Sequence, residues 1–199
     1  MEPRQHRPSD KQTGPIVSFD NEALIIVDAQ DRILGHGSKA DLHRGSGTLH
    51  RAFSIFLFNP AGELLLTRRS DSKPLWAGFW SNTCCSHPRR GESYQNATQR
   101  RLREELGVET ALEFTHRFQY QAHFGDSGSE HELCSVYVGV TDDNPSPHPM
   151  EIADWQWLTM EDLDRWIEES PESLTPWCTM EWQELRSGRY RAVFQALGL

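Results

Sequence analysis

The sequence has few cysteines and no long apolar segment. Four cysteines occur among 199 residues, without a C-x-x-C pair or a regular disulfide spacing. Scarce, unpatterned cysteine is typical of proteins in a reducing compartment, which predicts a cytoplasmic location. Residues 1–18 lack the apolar core of a signal peptide, and no apolar run reaches the roughly 18 residues of a membrane span. We therefore expect no membrane association.

An excess of positive charge is also absent. Twenty Lys and Arg residues stand against 29 Asp and Glu residues, for a formal net charge of −9. This balance argues against a general nucleic-acid or membrane surface, although a local basic cluster can still bind an anionic small molecule. We expect a small-molecule substrate, no nucleic-acid partner, and a monomer or weak dimer.

The sequence contains no internal repeat of useful length. Its 199 residues favour one domain, and two small domains remain compatible with that length. Residues 1–18 are polar and contain proline, glycine and several charges. We expect residues 1–18 to be a disordered tail and residues 19–199 to be a single domain.

Apolar runs bounded by turn residues predict three strand pairs. The predicted pairs are Leu24–Asp28 with Arg32–Gly35, Phe53–Phe58 with Glu63–Arg69, and Phe118–Phe124 with His131–Val140. Trp155–Leu158 is predicted as a further strand. His36–Thr48 is predicted as a loop, because Gly45 and Gly47 disfavour a helix there.

Capping patterns predict the helices. Ser93 and Gly107 have the residue types that begin and end a helix, and Thr159 precedes a second helical segment, Met160–Glu169. Trp177–Leu199 is expected to be helical after Thr175-Pro176. Hairpins and separate helices together predict an α+β fold, with a mixed sheet flanked by helices, an N-terminal strand pair and a C-terminal helical extension.

The stretch Trp80–Val108 carries the most specific motif. Seven of its residues match the spacing of the Nudix box, G-x5-E-x7-R-E-U-x-E-E-x-G-U with U aliphatic, namely Glu92, Arg100, Leu102, Glu104, Glu105, Gly107 and Val108. Ser86 stands at the first glycine, and Arg101 stands where the box has a glutamate. Nudix hydrolases depend on clustered carboxylates that hold divalent cations, so Arg101 weakens the prediction of hydrolysis.

These departures resemble the type 1 isopentenyl-diphosphate isomerases, a Nudix-fold family. The resemblance runs from about His36 to Trp177 and includes the segments TLHRAFSIFLFN, GELLLTRRSDSKPLWAGFWSNTCCSHP, RRLREELGV and SEHEL. It implies interconversion of isopentenyl and dimethylallyl diphosphate, in isoprenoid biosynthesis, by a metal-assisted 1,3-allylic proton shift. The alternatives are a Nudix hydrolase of a diphosphate substrate and a non-catalytic diphosphate-binding protein.

The resemblance also assigns proton-transfer residues. Cys85, within TCCSHP, matches the family's catalytic cysteine, while Glu132 and Tyr120 match its glutamate and tyrosine. A lone cysteine is more often a small buried apolar residue. We keep that interpretation for Cys84, Cys134 and Cys178.

A metal site is implied in the same way. The residues that match the family's His3Glu2 site are His43, His50, His87, Glu130 and Glu132. Their spacing alone would not group them, because they come from four separated segments. Imidazoles and carboxylates suit Mg2+, Mn2+ or Zn2+, and the donor types do not choose among these ions.

By the same resemblance, four cations surround the diphosphate, and they are Lys39, Arg69, Lys73 and Arg101. Glu105 is implied to hold a second Mg2+ that bridges to the substrate, and Trp177 to cover the pocket. From residue spacing alone, Arg101 and Glu105 form a helix ion pair worth ~0.3–0.5 kcal/mol. Trp177, without the resemblance, is a residue of the core.

Overall fold

A computed structural model describes residues 16–199, and the strands in this range form one mixed sheet. In chain order the strands are β1 (Ala23–Val27), β2 (Ile33–Ser38), β3 (His50–Phe58), β4 (Leu64–Arg69), β5 (Trp80–Ser81), β6 (Cys84–Ser86), β7 (Leu112–His123), β8 (Ser129–Val140) and β9 (Ile152–Leu158).

Strand β3 is the centre of this sheet. It runs parallel to β8 along its whole length, from the pair His50↔Glu132 to the pair Phe58↔Val140. Strand β7 pairs antiparallel with β8, and β6 pairs antiparallel with β3 on its other edge. Strands β1 and β4 also contact β3, and β4 pairs with β5 and β9. Residues from β6, β3, β8 and β7 can therefore share one face.

The helices cover both faces of the sheet. They are α1 (Lys39–Leu42), α2 (Tyr94–Leu106), α3 (Met160–Glu169), α4 (Pro176–Leu185) and α5 (Arg191–Ala196). On β3, Phe53 packs in the cluster that contains α2, and Phe56 packs in the cluster that contains α4. This alternation follows from the two-residue period of a strand, and it separates two apolar cores.

The structure confirms the α+β fold and the three predicted strand pairs. The Ser93 side chain accepts a hydrogen bond from the Asn96 amide, and Gly107 ends α2 in the left-handed region with φ 68°. Thr159 caps α3 through the amide of Asp162. Both helices therefore begin where their capping residues predict.

One local prediction was wrong. Within His36–Thr48, the Ser38 side chain caps the short helix α1, and both Gly45 and Gly47 lie beyond its end, where they do not oppose it. The C-terminal segment is helical as predicted, and it divides into α4 and α5 because the chain turns between them, where Gly188 adopts φ 83°.

The predicted disorder of residues 1–15 lies outside the described residues. Residues 16–18, which were also assigned to the tail, contact the domain. The carbonyl of Val17 accepts a hydrogen bond from Arg101 Nη1 at 2.8 Å, and the Ser18 hydroxyl accepts one from Lys39 Nζ at 2.7 Å. The described chain therefore begins beside two of the predicted diphosphate ligands.

Candidate active site

Five predicted metal ligands converge at one end of β3. His43 follows α1, and His50 is the first residue of β3. Glu130 and Glu132 share one face at the start of β8, and the parallel register places Glu132 beside His50. His87 follows β6, which pairs with β3. Chain topology thus unites residues that are far apart in the sequence.

The five side chains form a compact group. One potential ligand atom from each lies within 4.8 Å of all the others. His43 Nε2 lies 2.8 Å from Glu130 Oε2, and His87 Nε2 lies 2.9 Å from Glu132 Oε1. His50 Nε2 is 3.9 Å from the same Glu132 oxygen. These separations are short enough for a single ion to contact every residue.

Hydrogen bonds orient two of the imidazoles toward the centre of this group. His43 Nδ1 donates to the Lys39 carbonyl at 2.6 Å, and His50 Nδ1 donates to the Thr48 carbonyl at 2.7 Å. His50 Nε2 is buried and lacks a hydrogen-bond partner among the described residues, whereas His43 Nε2 and Glu130 Oε2 contact each other. Buried lone pairs of this kind are costly unless something binds them, so the donor set fits a divalent cation.

The electrostatic environment favours the neutral form of His50 and His87, whereas the charge of Glu130, although burial opposes it, raises the pKa of His43. Burial, reinforced by the charge of His43, lowers the pKa of His50 to about 4. Burial and the neighbouring His50 also hold the pKa of His87 well below its ordinary value. Although burial opposes it, the charge of His43 lowers the pKa of Glu130 to about 2. Neutral nitrogen and ionised oxygen are the protonation states that ligate metals.

A cavity of about 210 Å³ adjoins the metal-ligand group. The four predicted diphosphate-binding cations all line it, namely Lys39, Arg69, Lys73 and Arg101. Burial, followed by repulsion from Lys73, lowers the pKa of Lys39 to about 8. The charges are therefore crowded enough to repel one another, as expected in a pocket for a dense anion.

Arg69 is held by main-chain oxygens. Its Nη2 donates to the Leu75 carbonyl at 2.9 Å, and its Nε donates to the Trp76 carbonyl at 3.1 Å. The guanidinium carbon lies 5.4 Å from the centre of the Trp177 ring, and Nη1 lies 4.0 Å from Cys85 Sγ. Arg69 therefore lies close to both Cys85 and Trp177, two residues named by the family resemblance.

Cys85, Tyr120 and Trp177 also line this cavity. Burial raises the pKa of Cys85 to about 12, against the opposing charge of Arg69, so the thiol retains its proton. The other three cysteines are buried, whereas Cys85 is partly exposed. Trp177 donates from Nε1 to the Ser81 hydroxyl at 3.1 Å, which fixes the orientation of its ring.

Glu132 lies behind the cavity wall, in contact with Tyr120. The Tyr120 hydroxyl donates to Glu132 Oε2 at 2.6 Å. Burial and the adjacent Glu130 carboxylate raise the pKa of Glu132 well above its ordinary value. Cys85 and Tyr120 belong to β6 and β7, which are separated by β3 and β8, so three strand spacings place their main chains roughly 14 Å apart.

Glu105 lines a second, polar cavity of about 20 Å³, whose wall also includes Lys73 and Cys85. Among the described residues, the contacts of its carboxylate all reach Oε1, with Arg101 Nη2 at 2.6 Å and Cys84 Sγ at 3.4 Å. The predicted helix ion pair therefore exists and is buried. Oε2 is left for this cavity, an arrangement that fits a small cation ligated by oxygen.

Sequence reasoning missed two buried carboxylates. Glu151 contacts Lys73 and Arg101. Glu181, on helix α4, contacts Cys134 on strand β8. Neither residue belongs to a motif, and each is separated by many residues from its partners. Each is flanked by two apolar residues, Met150 and Ile152 for Glu151 and Met180 and Trp182 for Glu181, which is too weak a pattern to predict burial.

Comparison of the sequence and structure with known proteins identifies a Nudix domain. The Nudix domain family matches residues 48–178. A crystal structure of the Deinococcus radiodurans protein DR0079 is similar with a TM-score of 0.69 and 26% sequence identity, covering 82% of this chain and 98% of that chain. A MutT protein from Methanosarcina mazei, at 17% identity and a TM-score of 0.55, shares the fold, covering 70% of this chain and 96% of its own.

Two curated relatives are more similar in sequence. The isopentenyl-diphosphate Delta-isomerase 1 of Photorhabdus laumondii is 39% identical over 171 residues, which cover 85% of this chain and 97% of that protein. The isopentenyl-diphosphate Delta-isomerase of Serratia proteamaculans is 45% identical over 157 residues, 79% of this chain and 87% of the relative. Similarity of this degree over most of the chain, together with the Nudix match, shows that the chain belongs to the isopentenyl-diphosphate isomerase family of Nudix-fold proteins.

Proposed function

We propose that this protein interconverts isopentenyl diphosphate and dimethylallyl diphosphate by moving one proton onto the carbon skeleton and removing another. The observation that carries this proposal is the composition of one cavity wall, which combines four cations with the protonated thiol of Cys85 and with Tyr120. A diphosphate fits the cations, and the remaining wall offers groups that can hold and exchange protons.

The proton transfers are assigned to groups on three strands. Protonation of the alkene at one carbon gives a tertiary cation, and loss of a proton from another carbon moves the double bond. Cys85 holds a proton at Sγ, while Glu132 can exchange one through the Tyr120 hydroxyl that contacts it at 2.6 Å. Cys85 and Tyr120 line the same cavity from strands three spacings apart, so a flat hydrocarbon can lie between their side chains, as general acid–base catalysis requires.

An alkene is a poor base, so the surroundings must supply most of the acceleration. Trp177 presents an aromatic ring to the cavity, and such a ring can stabilise a cation by about 2 kcal/mol once water is excluded. Arg69 lies over the same ring, which places the diphosphate end of the substrate close to the hydrocarbon end. The cavity wall thus holds the reacting carbons while the phosphates remain bound.

Two metal sites belong to this proposal. His43, His50, His87, Glu130 and Glu132 would hold one divalent cation, which we assign as Mg2+, Mn2+ or Zn2+, and Glu105 would hold a Mg2+ that bridges to the diphosphate. When bound, the first cation supplies positive charge that polarises neighbouring proton donors, and the second neutralises phosphate charge. The Tyr120–Glu132 hydrogen bond then orients the carboxylate independently of either ion.

None of the helices in residues 16–199 is long and apolar enough to cross a membrane. We propose a cytoplasmic enzyme on the strength of its four free cysteines, since a reducing compartment keeps thiols unpaired. A monomer or weak dimer is proposed as its state in solution. Sedimentation velocity at several protein concentrations tests this proposed oligomeric state directly.

The activity is tested with purified protein, isopentenyl diphosphate and Mg2+. We expect dimethylallyl diphosphate to form while neither phosphate nor pyrophosphate is released. A Nudix hydrolase would instead release phosphate in proportion to substrate consumed, which would replace the proposed reaction. Binding of the substrate without either change would favour a non-catalytic protein.

A further inference from the structure

Glu151 lies between two of the cavity cations. It directly precedes β9, and its side chain is 4% exposed. The same oxygen, Oε2, forms an ion pair with Lys73 Nζ and lies 3.2 Å from Arg101 Nη2. One carboxylate oxygen therefore bridges an ammonium group from the β4–β5 connection and a guanidinium from helix α2.

The main chain of Glu151 is fixed to both of these elements. Its carbonyl accepts a hydrogen bond from the Ser70 amide at 2.9 Å, and the Ser70 carbonyl accepts one from the Lys73 amide at 3.1 Å. Its amide donates to the His148 carbonyl at 2.9 Å, and the His148 amide donates to the Glu105 carbonyl at 2.8 Å. These bonds set the position of the carboxylate relative to each cation that it contacts.

Glu151 contacts these cations from the protein interior. Of the two cavities described above, Lys73 and Arg101 both line the large one, whereas Glu151 lines the small polar cavity beside Glu105 and not the large one. A carboxylate placed in the large cavity would compete with a diphosphate for the cations. A carboxylate behind them leaves the diphosphate-facing side open.

The cations require such a partner because they repel one another. Arg101 is 2% exposed, and repulsion from Lys73 and Arg101 is one cause of the lowered pKa of Lys39, which Glu151 partly offsets. Arg101 is also held by Glu105 and the Val17 carbonyl, whereas Glu151 is the one side-chain partner of Lys73 among the described residues. Without this anion, the Lys73 side chain would move away from Arg101 and adopt many rotamers, and binding would have to order it.

We propose that Glu151 is a positioning residue that holds Lys73 and Arg101 at the spacing required by the diphosphate. This role rests on the proposed function, because it assumes that these cations bind a diphosphate. Since positioning acts on ground state and transition state alike, loss of Glu151 should weaken binding and leave the chemical step nearly unchanged.

The test is a comparison of the wild-type enzyme with Glu151→Gln, which removes the charge and keeps the side-chain shape. We expect the dissociation constant for inorganic pyrophosphate with Mg2+, measured by calorimetry, to rise about tenfold or more. The Michaelis constant for isopentenyl diphosphate should rise in parallel, with kcat within about threefold of wild type. Glu92→Gln is the matched control, because Glu92 pairs with Arg100 and contacts none of the four cations.

Opposite results would overturn this role. If Glu151 were merely a competing anion, its neutralisation would tighten pyrophosphate binding. Unchanged binding, or a fall in kcat with an unchanged Michaelis constant, would equally contradict positioning. Glu151→Asp provides a second variant if Glu151→Gln unfolds, because the charge remains but one methylene is lost. It should raise the Michaelis constant about threefold or more, and an unchanged constant would overturn the proposal.

The experiments can disprove the proposed reaction and the proposed role of Glu151 independently of each other. If the wild-type protein binds pyrophosphate but isomerises nothing, the reaction is wrong, and the ratio of the two dissociation constants still decides the role of Glu151. If the wild-type protein does not bind pyrophosphate, the positioning role is wrong.

Discussion

The hydroxyl of Tyr120 donates a hydrogen bond to Oε2 of Glu132 at 2.6 Å, and both residues are buried. Their strands pair so that Tyr120 lies directly beside Glu132. The other oxygen of Glu132 contacts His87 at 2.9 Å. This carboxylate is therefore oriented by a group that also lines the cavity, and it connects the predicted metal site with the predicted proton transfer.

Tyr120→Phe removes this hydrogen bond while preserving the ring. We expect kcat to fall by roughly 10²-fold, because a positioned proton donor is lost, with little change in metal content or in the Michaelis constant. Steady-state kinetics with isopentenyl diphosphate provide the measurement. Tyr137→Phe, on the α2 side of the sheet, is the control. A kcat within about twofold of wild type would remove Tyr120 from the mechanism.

Cys85→Ala should abolish isomerisation, by a factor on the order of 10³ or more, because no other thiol among the described residues lines the large cavity. The variant should keep its melting temperature and its affinity for pyrophosphate. Cys178→Ala, which alters a cysteine buried in α4, should retain most of the turnover. Near-normal turnover by Cys85→Ala would contradict the assignment of the proton-holding group.

Metal removal should destabilise the protein. The buried Nε2 atom of His50 has no hydrogen-bond partner among the described residues, and a cation that binds the native state stabilises it by mass action. We expect a chelator to lower the melting temperature and abolish activity, and Mg2+, Mn2+ or Zn2+ to restore both. His50→Ala should lose the bound metal in elemental analysis. If neither the chelator nor the added metal ion changed the melting temperature, that result would argue against a metal site in the histidine and glutamate group.

Glu181 predicts a specific dependence of stability on pH. It is 1% exposed, Oε2 has no hydrogen-bond partner among the described residues, and burial raises its pKa from 4.5 to about 8. The native state therefore holds an extra proton between these values. The stability associated with this carboxyl is present below pH 4.5 and is lost progressively as the pH rises toward 8.

Glu181→Gln removes that titration. As the pH rises from about 5 to about 8, the variant should gain stability relative to wild type, by on the order of 1 kcal/mol for each pH unit. Urea denaturation at several pH values measures the difference, and it cancels the contribution of groups that titrate in both proteins. Parallel stability curves would show that Glu181 does not carry the raised pKa.

Much of the fold is predictable from local sequence signals. Ser93, Thr159 and Gly107 begin or end helices through capping that depends on neighbouring residues only, and turn residues mark the hairpins. Helix α1 was missed because one serine cap stabilises it, and because two glycines beyond its end resemble helix breakers. The C-terminal break at Gly188 was missed because a single glycine is a weak signal.

The candidate site was harder to predict from local sequence signals than the fold was. The family resemblance predicted the residues that the structure places around the cavity. Their spacing in the sequence alone did not show that His43 and Glu130 lie close together in the fold. Glu151 and Glu181 escaped prediction because their contacts are long-range, spanning 78 residues from Lys73 to Glu151 and 47 from Cys134 to Glu181. Buried charges depend on tertiary packing, which local patterns do not specify.

The most direct test of the central claim is the reaction of isopentenyl diphosphate with the Mg2+-loaded protein in deuterated water, followed by NMR. We predict that the double bond moves, that deuterium from solvent enters the carbon skeleton, and that the diphosphate stays attached to its carbon. Release of phosphate with no deuterium in the hydrocarbon would contradict the proposed isomerisation.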